Sequence, residues 1–179
     1  TFEQNFAIYM ENVTPMSVQE LATQIGAKRA KWDDALRQMP SGRMDEPLLG
    51  GWTVREAIAI LTWKERRVAE MMRRRAFVEA RFGQLPQAEQ ARILEASHAQ
   101  SLPALLEQHH EAHREMLDAL RALSDDDLNA ECVEGLAPEE RFWKAIAWTT
   151  WWSYPDFTEA LRQLLAEDAP GSANSYSSS

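Results

Sequence analysis

The chain has 179 residues, a length that suits one domain able to bury roughly 70% of its unfolded surface without a disulfide or a structural metal. Its single cysteine, Cys132, excludes an internal disulfide, and its formal net charge of -9 disfavours a nucleic-acid phosphate backbone as partner. We find no run of 18 or more apolar residues and no basic-then-apolar leader. These features predict a cytoplasmic protein with neither a membrane nor a nucleic-acid partner.

The N-terminal third of the chain predicts an arm followed by two long helices. Residues 1–16 lack a helical period and are interpreted as an extended arm or a vector-derived remnant. Ser17 and Glu20 form an S-x-x-E capping box for a first helix that runs to about Met39. Thr53 and Glu56 repeat this box for a second helix, which is expected to reach about Arg81. Trp52, just before this helix, is expected to pack into the end of a bundle. The apolar face of the first helix comprises Val18, Leu21, Ile25, Trp32, Leu36 and Met39.

The remainder of the chain predicts two more long helices and a tail. Residues 87–98 suit a short extra helix, and Ser101 caps a third long helix that ends near Leu123. Pro138 permits a fourth helix that ends near Glu167, and residues 168–179 have the composition of a flexible Ser-rich tail. Residues 17–167 therefore predict an all-α four-helix bundle, in which sites form between facing helices.

The fourth helix is apolar on every side around "AWTTWWSYPDF". Trp151 points away from the stripe expected to face the bundle, so we expect a second subunit or the N-terminal arm to cover it, and we predict a homodimer. Pro155 cannot donate to the carbonyl of Trp151, and a kink beside hydroxyl side chains favours a pocket. The alternative is that the tryptophans are only core and dimer contacts. The predicted inward stripe consists of Phe142, Ile146, Thr149, Ser153, Phe157, Ala160 and Leu164.

Two histidines lie one turn apart on the apolar face of the third helix, in "EQHHEAHREM". His109 and His113 have the H-x-x-x-H spacing that can bind one metal ion, with Glu65 as the first candidate for a third ligand and His98 or Asp156 as the next. The alternative is that both imidazoles are hydrogen-bonded to hydroxyls or a carboxylate in the bundle interior. The second helix also carries a basic run, "KERRVAEMMRRRAFVEAR", which favours a solvated, salt-bridged face over a site for an anionic ligand or an acidic partner.

Three segments carry a resemblance to a known superfamily: "LLGGWTVREAIAILTWKERRVAEMM", "HREMLDALRALSDDDL" and "FWKAIAWTTWWSYPDFTEALRQLL". They resemble the DinB-like four-helix bundles, and within these the ClbS/DfsB branch, over residues 17–166. The most specific part, "GWTVREAIAIL", is similar to the W-S-V-x-D-x-x-A-H-L opening of the second helix in that superfamily. Many DinB-like proteins hold a divalent metal by a histidine of this motif and an H-x-x-x-H pair on the last helix. The corresponding positions here are Ile60, Ser153 and Phe157, so the resemblance implies that the usual metal centre is absent.

The ClbS-like T-x-x-x-Y pattern of the last helix is retained at Thr150 and Tyr154. The resemblance therefore implies a protein that binds a small hydrophobic, electrophilic metabolite, as a self-resistance or detoxifying hydrolase without a metal or other cofactor. Two alternatives stay open: a metal-dependent DinB-like thiol transferase or isomerase, and a non-catalytic dimeric interaction module. If a metal binds at all, we expect it at His109 and His113. The predicted catalytic residues are Tyr154, His109 and Glu65, and the predicted ligand-binding residues are Trp148, Thr149, Thr150, Trp152, Ser153 and His113.

Overall fold

The computed structural model describes residues 15–151 and 153–167 and shows a bundle of helices with one small hairpin. The helices are α1 (Val18–Gln38), α2 (Val54–Arg74), α3 (Gln87–Ala99), α4 (Leu102–Arg121), α5 (Asp125–Asn129), α6 (Phe142–Trp151) and α7 (Ser153–Ala166). The hairpin pairs β1 (Pro47–Leu49) antiparallel with β2 (Trp52–Thr53). The packing of α2 against α4 and of α1 against α7 dominates the bundle. The predicted all-α bundle is confirmed.

The helix starts follow the capping signals of the sequence. The Glu20 amide donates to Ser17 Oγ at 3.1 Å, and the Ser17 amide donates back to Glu20 Oε2 at 2.9 Å. Thr53 and Glu56 make the same reciprocal pair at 3.2 and 2.9 Å. Each pair satisfies two of the amide groups that a helix start leaves without an intrahelical partner, so α1 and α2 begin where the sequence predicts.

Two helix boundaries differ from the prediction. The second helix ends at Arg74 rather than near Arg81, because Arg75 adopts a left-handed conformation at φ 50° that stops the helical hydrogen bonding. The chain then runs extended, and the Phe77 amide donates to the Glu134 carbonyl at 2.8 Å. The last long helical region begins at Phe142 rather than Pro138, and the Phe142 amide donates instead to the Ala130 carbonyl at 3.1 Å.

The hairpin orients Trp52 toward one end of the bundle. Gly50 and Gly51, at φ 64° and 84°, form the two-residue turn, which needs a positive φ at both positions. The Trp52 ring then packs against Phe82 and Phe157, with centroid separations of 5.7 and 6.2 Å. The predicted packing of Trp52 into the bundle end is therefore confirmed.

Met16 was assigned to the arm by its sequence, yet it belongs to the core. Its side chain is 1% exposed. Its amide donates to Asn129 Oδ1 at 3.0 Å, and its carbonyl accepts from Asn129 Nδ2 at 2.7 Å, so α5 fixes the entry into α1. The predicted arm before residue 15 and the predicted tail from residue 168 lie outside the described residues. Among the described helices, none is long and apolar enough to cross a membrane.

Candidate functional site

A buried carboxylate, Glu65 of α2, is the point where side chains from three other helices meet. It is 2% exposed. Its Oε1 accepts hydrogen bonds from Nη1 of Arg29 on α1 and from the hydroxyl of Tyr154 on α7. His113 of α4 places Nδ1 3.2 Å from the same oxygen. Glu65 Oε2, by contrast, has no hydrogen-bond partner among the described residues. One carboxylate oxygen is saturated and the other still has its lone pairs available.

The charges of Glu65, Arg29 and Tyr154 are fixed at neutral pH. Burial raises the pKa of Glu65, but the hydrogen bond from His113 and the charge of Arg29 outweigh it and lower the pKa to about 2. Burial works against the charge of Arg29, yet Glu65 and Asp33 keep its pKa above the ordinary value. Burial and the neighbouring Glu65 raise the pKa of Tyr154 well above the usual range. The cluster is therefore an ion pair of Arg29 with Glu65, to which a neutral phenol donates.

His109 lies beside this cluster and is fully buried. Trp32 Nε1 donates to His109 Nε2 at 2.9 Å, which assigns the ring proton of the neutral imidazole to Nδ1. Nδ1 then donates to Thr62 Oγ1 at 2.9 Å, and the Thr62 hydroxyl donates a hydrogen bond to the Ile58 carbonyl at 2.7 Å. Burial lowers the pKa of His109 to about 3. Both ring nitrogens are engaged in a neutral imidazole, so the predicted catalytic role of His109 does not fit this geometry.

The metal positions of the DinB-like pattern hold no suitable donor set. Ile60 and Phe157 are buried apolar side chains, and Ser153 is a buried hydroxyl, so these positions do not fit a divalent ion. The alternative site at His109 and His113 does not fit either, because both ring nitrogens of His109 are engaged in hydrogen bonds. Within residues 15–151 and 153–167 there is no group of three His, Cys, Asp or Glu side chains placed to hold a metal ion.

The interior beside Tyr154 is tightly packed. A cavity of about 10 Å³ lies there, which is close to the space that one water molecule needs. The predicted cavity for a whole small molecule is therefore wrong for this conformation. The hydroxyls of Thr149 and Thr150 line it but donate to backbone carbonyls one turn earlier, of Ala145 at 3.0 Å and Ile146 at 2.9 Å. The cavity is lined by Leu61, Lys64, Glu65, Val68, Thr149, Thr150, Ser153 and Tyr154.

The tryptophans take different places from those predicted. Trp151 is 3% exposed and belongs to the core of the single chain, so it does not point away from the bundle and needs no second subunit to cover it. Trp148, predicted at a cavity edge, is instead 51% exposed on the surface. Five of the seven residues of the predicted inward stripe are buried, and the buried face of α6 and α7 is wider than predicted, because it also includes Trp143, Thr150 and Tyr154. The predicted ligand contact Trp152 lies outside the described residues.

The sequence reasoning thus found Glu65, Tyr154 and His113, which the structure brings together, but missed Arg29. Arg29 is 1% exposed and its Nε also donates to Asp33 Oδ1 at 2.8 Å. A signal was available, because Arg29 lies four residues after Ile25 and three before Trp32, on the apolar face of the first helix. A charged residue at such a position predicts a buried partner of opposite charge.

Solved structures with the same fold include three that bear on function. The structure of the sibling lethal factor precursor DfsB has a TM-score of 0.68 and 18% identity, with 86% of this chain and 97% of that chain covered. The colibactin self-resistance protein ClbS has a TM-score of 0.65 and 16% identity, with 86% and 98% covered. The mycothiol-dependent maleylpyruvate isomerase has a TM-score of 0.58 and 15% identity, with 84% and 68% covered. No curated protein sequence matches the chain significantly.

One of these structures corrects the expectation about partners. ClbS was solved in complex with a dsDNA, so a protein of this fold has a nucleic-acid partner. The exclusion of nucleic acid on the basis of net charge was therefore wrong. Net charge averages over the whole surface, whereas a nucleic acid contacts only a local patch of it.

The family assignment follows from the sequence itself. Residues 25–154 match the family described as mycothiol maleylpyruvate isomerase N-terminal domain. This range includes α2, α4 and α6 and extends from α1 to Tyr154, so it contains all the residues that meet at Glu65. The chain belongs to the mycothiol maleylpyruvate isomerase N-terminal domain family, within the DinB-like superfamily.

Proposed function

We propose that this protein acts on a small electrophilic molecule without a bound metal, as a self-resistance or detoxifying hydrolase, with Glu65 and Tyr154 at its reactive centre. The observation that carries the proposal is Oε2 of Glu65, which has no hydrogen-bond partner among the residues that the structure describes and belongs to a residue lining a cavity the size of one water. A buried carboxylate oxygen without a donor is rare, and a water molecule would satisfy it.

Glu65 would orient this water rather than deprotonate it. A carboxylate with a pKa of about 2 is a weak base at neutral pH, but its negative charge makes it a strong hydrogen-bond acceptor. Arg29 and Tyr154 hold its other oxygen, so the direction of the free lone pairs is fixed by three helices. The oxygen of the attacking water forms a bond with an electrophilic carbon, and a strained bond at that carbon breaks with its electron pair going to the leaving atom. One proton of the water stays on its oxygen, and the other ends on the leaving atom.

The similar solved structures support a self-resistance role. ClbS is described as a colibactin self-resistance protein, and this chain spans nearly the whole of ClbS and of DfsB. The metal-dependent isomerase or thiol-transferase alternative is less well supported, because Ile60 and Phe157 cannot ligate a metal at the positions of the DinB-like pattern.

The test uses three defined electrophiles: styrene oxide, a β-lactone and an aryl cyclopropyl ketone. Purified protein is incubated with each in ¹⁸O-labelled water, and the hydrated product is measured by mass spectrometry. We expect accelerated incorporation of ¹⁸O for at least one probe, and a loss of at least tenfold in Tyr154→Phe. Glu159→Gln, at an exposed position of α7, is the control that should keep the activity. Folded protein that accelerates none of the three reactions contradicts the proposal.

A non-catalytic interaction module is the second candidate, and the small size of the interior cavity favours it. Without room for a substrate, the Glu65 cluster would serve only to hold α1, α2, α4 and α7 together. Trp148, half-exposed on α6, would then be the natural anchor of a partner surface. Tyr154→Phe would in that case lower stability without changing any reaction rate.

A further inference from the structure

The basic run on α2 contains one cation that differs from the others. Its arginines, in α2 and in the segment that follows it, each lie within 4.0 Å of a carboxylate. These pairs are Arg66–Glu111, Arg67–Glu70, Arg73–Glu115, Arg74–Glu70, Arg75–Asp127 and Arg81–Glu79. Lys64, the first residue of the run, makes no ion pair with any described residue. The salt-bridged face predicted from the sequence therefore holds for the arginines and not for this lysine.

Lys64 is instead part of the wall of the small interior cavity. It directly precedes Glu65 on α2, is half-buried, and lines the 10 Å³ space together with Ser153 and Tyr154. Lys64 is neither fully buried nor fully exposed, so part of it is accessible to solvent.

The surroundings of Lys64 favour its neutral form. Burial lowers its pKa to about 8, although the charges of Glu79 and Asp156 act in the opposite direction. At pH 8 such an amine is about half neutral, whereas a lysine of ordinary pKa is less than 1% neutral. Only the neutral amine has the lone pair that attacks carbon, and desolvation is a known way to activate a lysine. Glu65 and Arg29, by contrast, keep their charges at neutral pH.

We propose that Lys64 is a nucleophilic amine that forms covalent adducts with small carbon electrophiles at the mouth of the Glu65 cavity. Its Nζ lone pair forms a C–N bond with the electrophilic carbon, and the strained bond at that carbon breaks. The electron pair of that bond goes to the leaving atom, which an epoxide supplies as its ring oxygen. The proton lost by Nζ ends on that atom, so the reaction is an addition that needs no co-reactant.

This inference rests on the proposed electrophile chemistry but differs from it in its product. Hydrolysis releases a hydrated molecule and leaves the protein unchanged, whereas addition to Lys64 leaves a modified protein of higher mass. The hydrated small molecule and the modified protein can therefore be measured separately in one incubation. A modified Lys64 without hydrated product supports the inference and contradicts the hydrolase, and hydrated product with unmodified Lys64 does the reverse.

The chain is well suited to the test because it contains four lysines: Lys28, Lys31, Lys64 and Lys144. The full chain is treated with trace acetic anhydride or with styrene oxide between pH 6 and pH 10, digested, and each lysine peptide quantified by mass spectrometry. We expect the labelling of Lys64 to reach half its maximum near pH 8. In 8 M urea this midpoint should rise by about two pH units, since unfolding restores solvation. Lys31 and Lys144 are internal controls for reagent decay.

The midpoint, rather than the absolute rate, is the criterion, because partial burial slows the access of any reagent. A Lys64 midpoint above pH 9.5 in the folded protein, or no styrene oxide adduct at Lys64 at pH 8.5, overturns the inference. Lys64→Arg keeps the positive charge but removes the nucleophile, and it should abolish the protein-bound adduct while the fold, measured by circular dichroism, is retained. The inference is also overturned if the folded wild-type protein carries the styrene oxide adduct only on Lys31 or Lys144 and not on Lys64.

Discussion

Replacement of Glu65 by glutamine should destabilise the protein severely. The Glu65→Gln change leaves Arg29, itself 1% exposed, without its buried counterion, and replaces an ionic acceptor for Tyr154 by a neutral one. Removal of one partner of a buried ion pair typically costs about 3 to 5 kcal/mol. The pKa of Glu65, lowered from 4.5 to about 2, gives an independent figure of roughly 3 kcal/mol. Against a total stability of about 5 to 15 kcal/mol, this is a large fraction.

The assay is urea unfolding followed by circular dichroism at pH 7.5, with Arg29→Met and the double variant measured alongside. We expect the double variant to be at least about 2 kcal/mol more stable than the sum of the two single losses predicts, because it leaves no unpaired charge. If Glu65→Gln does not fold, recovery of folding in the double variant shows the same coupling. A Glu65→Gln protein within about 1 kcal/mol of wild type, or strictly additive losses, would refute the assignment of the two residues as a buried ion pair.

Two further predictions concern the interior. Because burial lowers the pKa of His109 from 6.5 to about 3, the unfolded chain binds this proton first, so stability present above pH 6.5 is lost as the pH falls toward 3. Urea unfolding should show that the free energy of unfolding falls by about 2 kcal/mol between pH 6.5 and pH 5. This loss should be absent in His109→Gln. The same pH dependence in wild type and variant would contradict the prediction. Because Trp151 is buried and Trp148 is half-exposed, Trp151→Ala should lower the free energy of unfolding by about 3 to 5 kcal/mol and Trp148→Ala by about 1 kcal/mol or less. Thermal and urea unfolding would measure both losses. Equal losses would show that the two burial assignments are wrong.

The helix starts could be predicted from the sequence because capping is local. The pairs Ser17–Glu20 and Thr53–Glu56 lie three residues apart, and their hydrogen bonds do not depend on the rest of the fold. The end of α2 could not be predicted in this way. Its apolar period continues past Arg74, and the left-handed Arg75 is stabilised by a contact of the following segment with residue 134, which is distant in sequence.

The candidate site was partly predictable because polar residues on apolar helix faces are conspicuous. Glu65 and His109 were found on or beside such a face, and Tyr154 through the ClbS-like pattern; the structure places all three in one region of the interior. Their mutual roles were not predictable, since a helical wheel gives a direction but no partner. His109 is tied to Trp32 and Thr62 rather than to a ligand, and that distinction depends on distances between helices.

The orientation of the last two helices shows why the tryptophan assignments failed. In a segment that is apolar on every side, hydrophobicity alone does not choose which face is buried, because any rotation covers a similar apolar area. The need of buried polar groups for hydrogen bonds does select one face. A rotation that removed Tyr154 from Glu65 would leave a buried hydroxyl and a buried carboxylate with fewer hydrogen-bond partners. The hydrogen bond between Tyr154 and Glu65 therefore helps to fix the rotation that buries Trp151 and leaves Trp148 exposed. It follows that Tyr154→Phe should loosen this orientation as well as the site, and Trp151 fluorescence quenching by acrylamide should increase in that variant, whereas unchanged quenching would show that apolar packing alone sets the rotation.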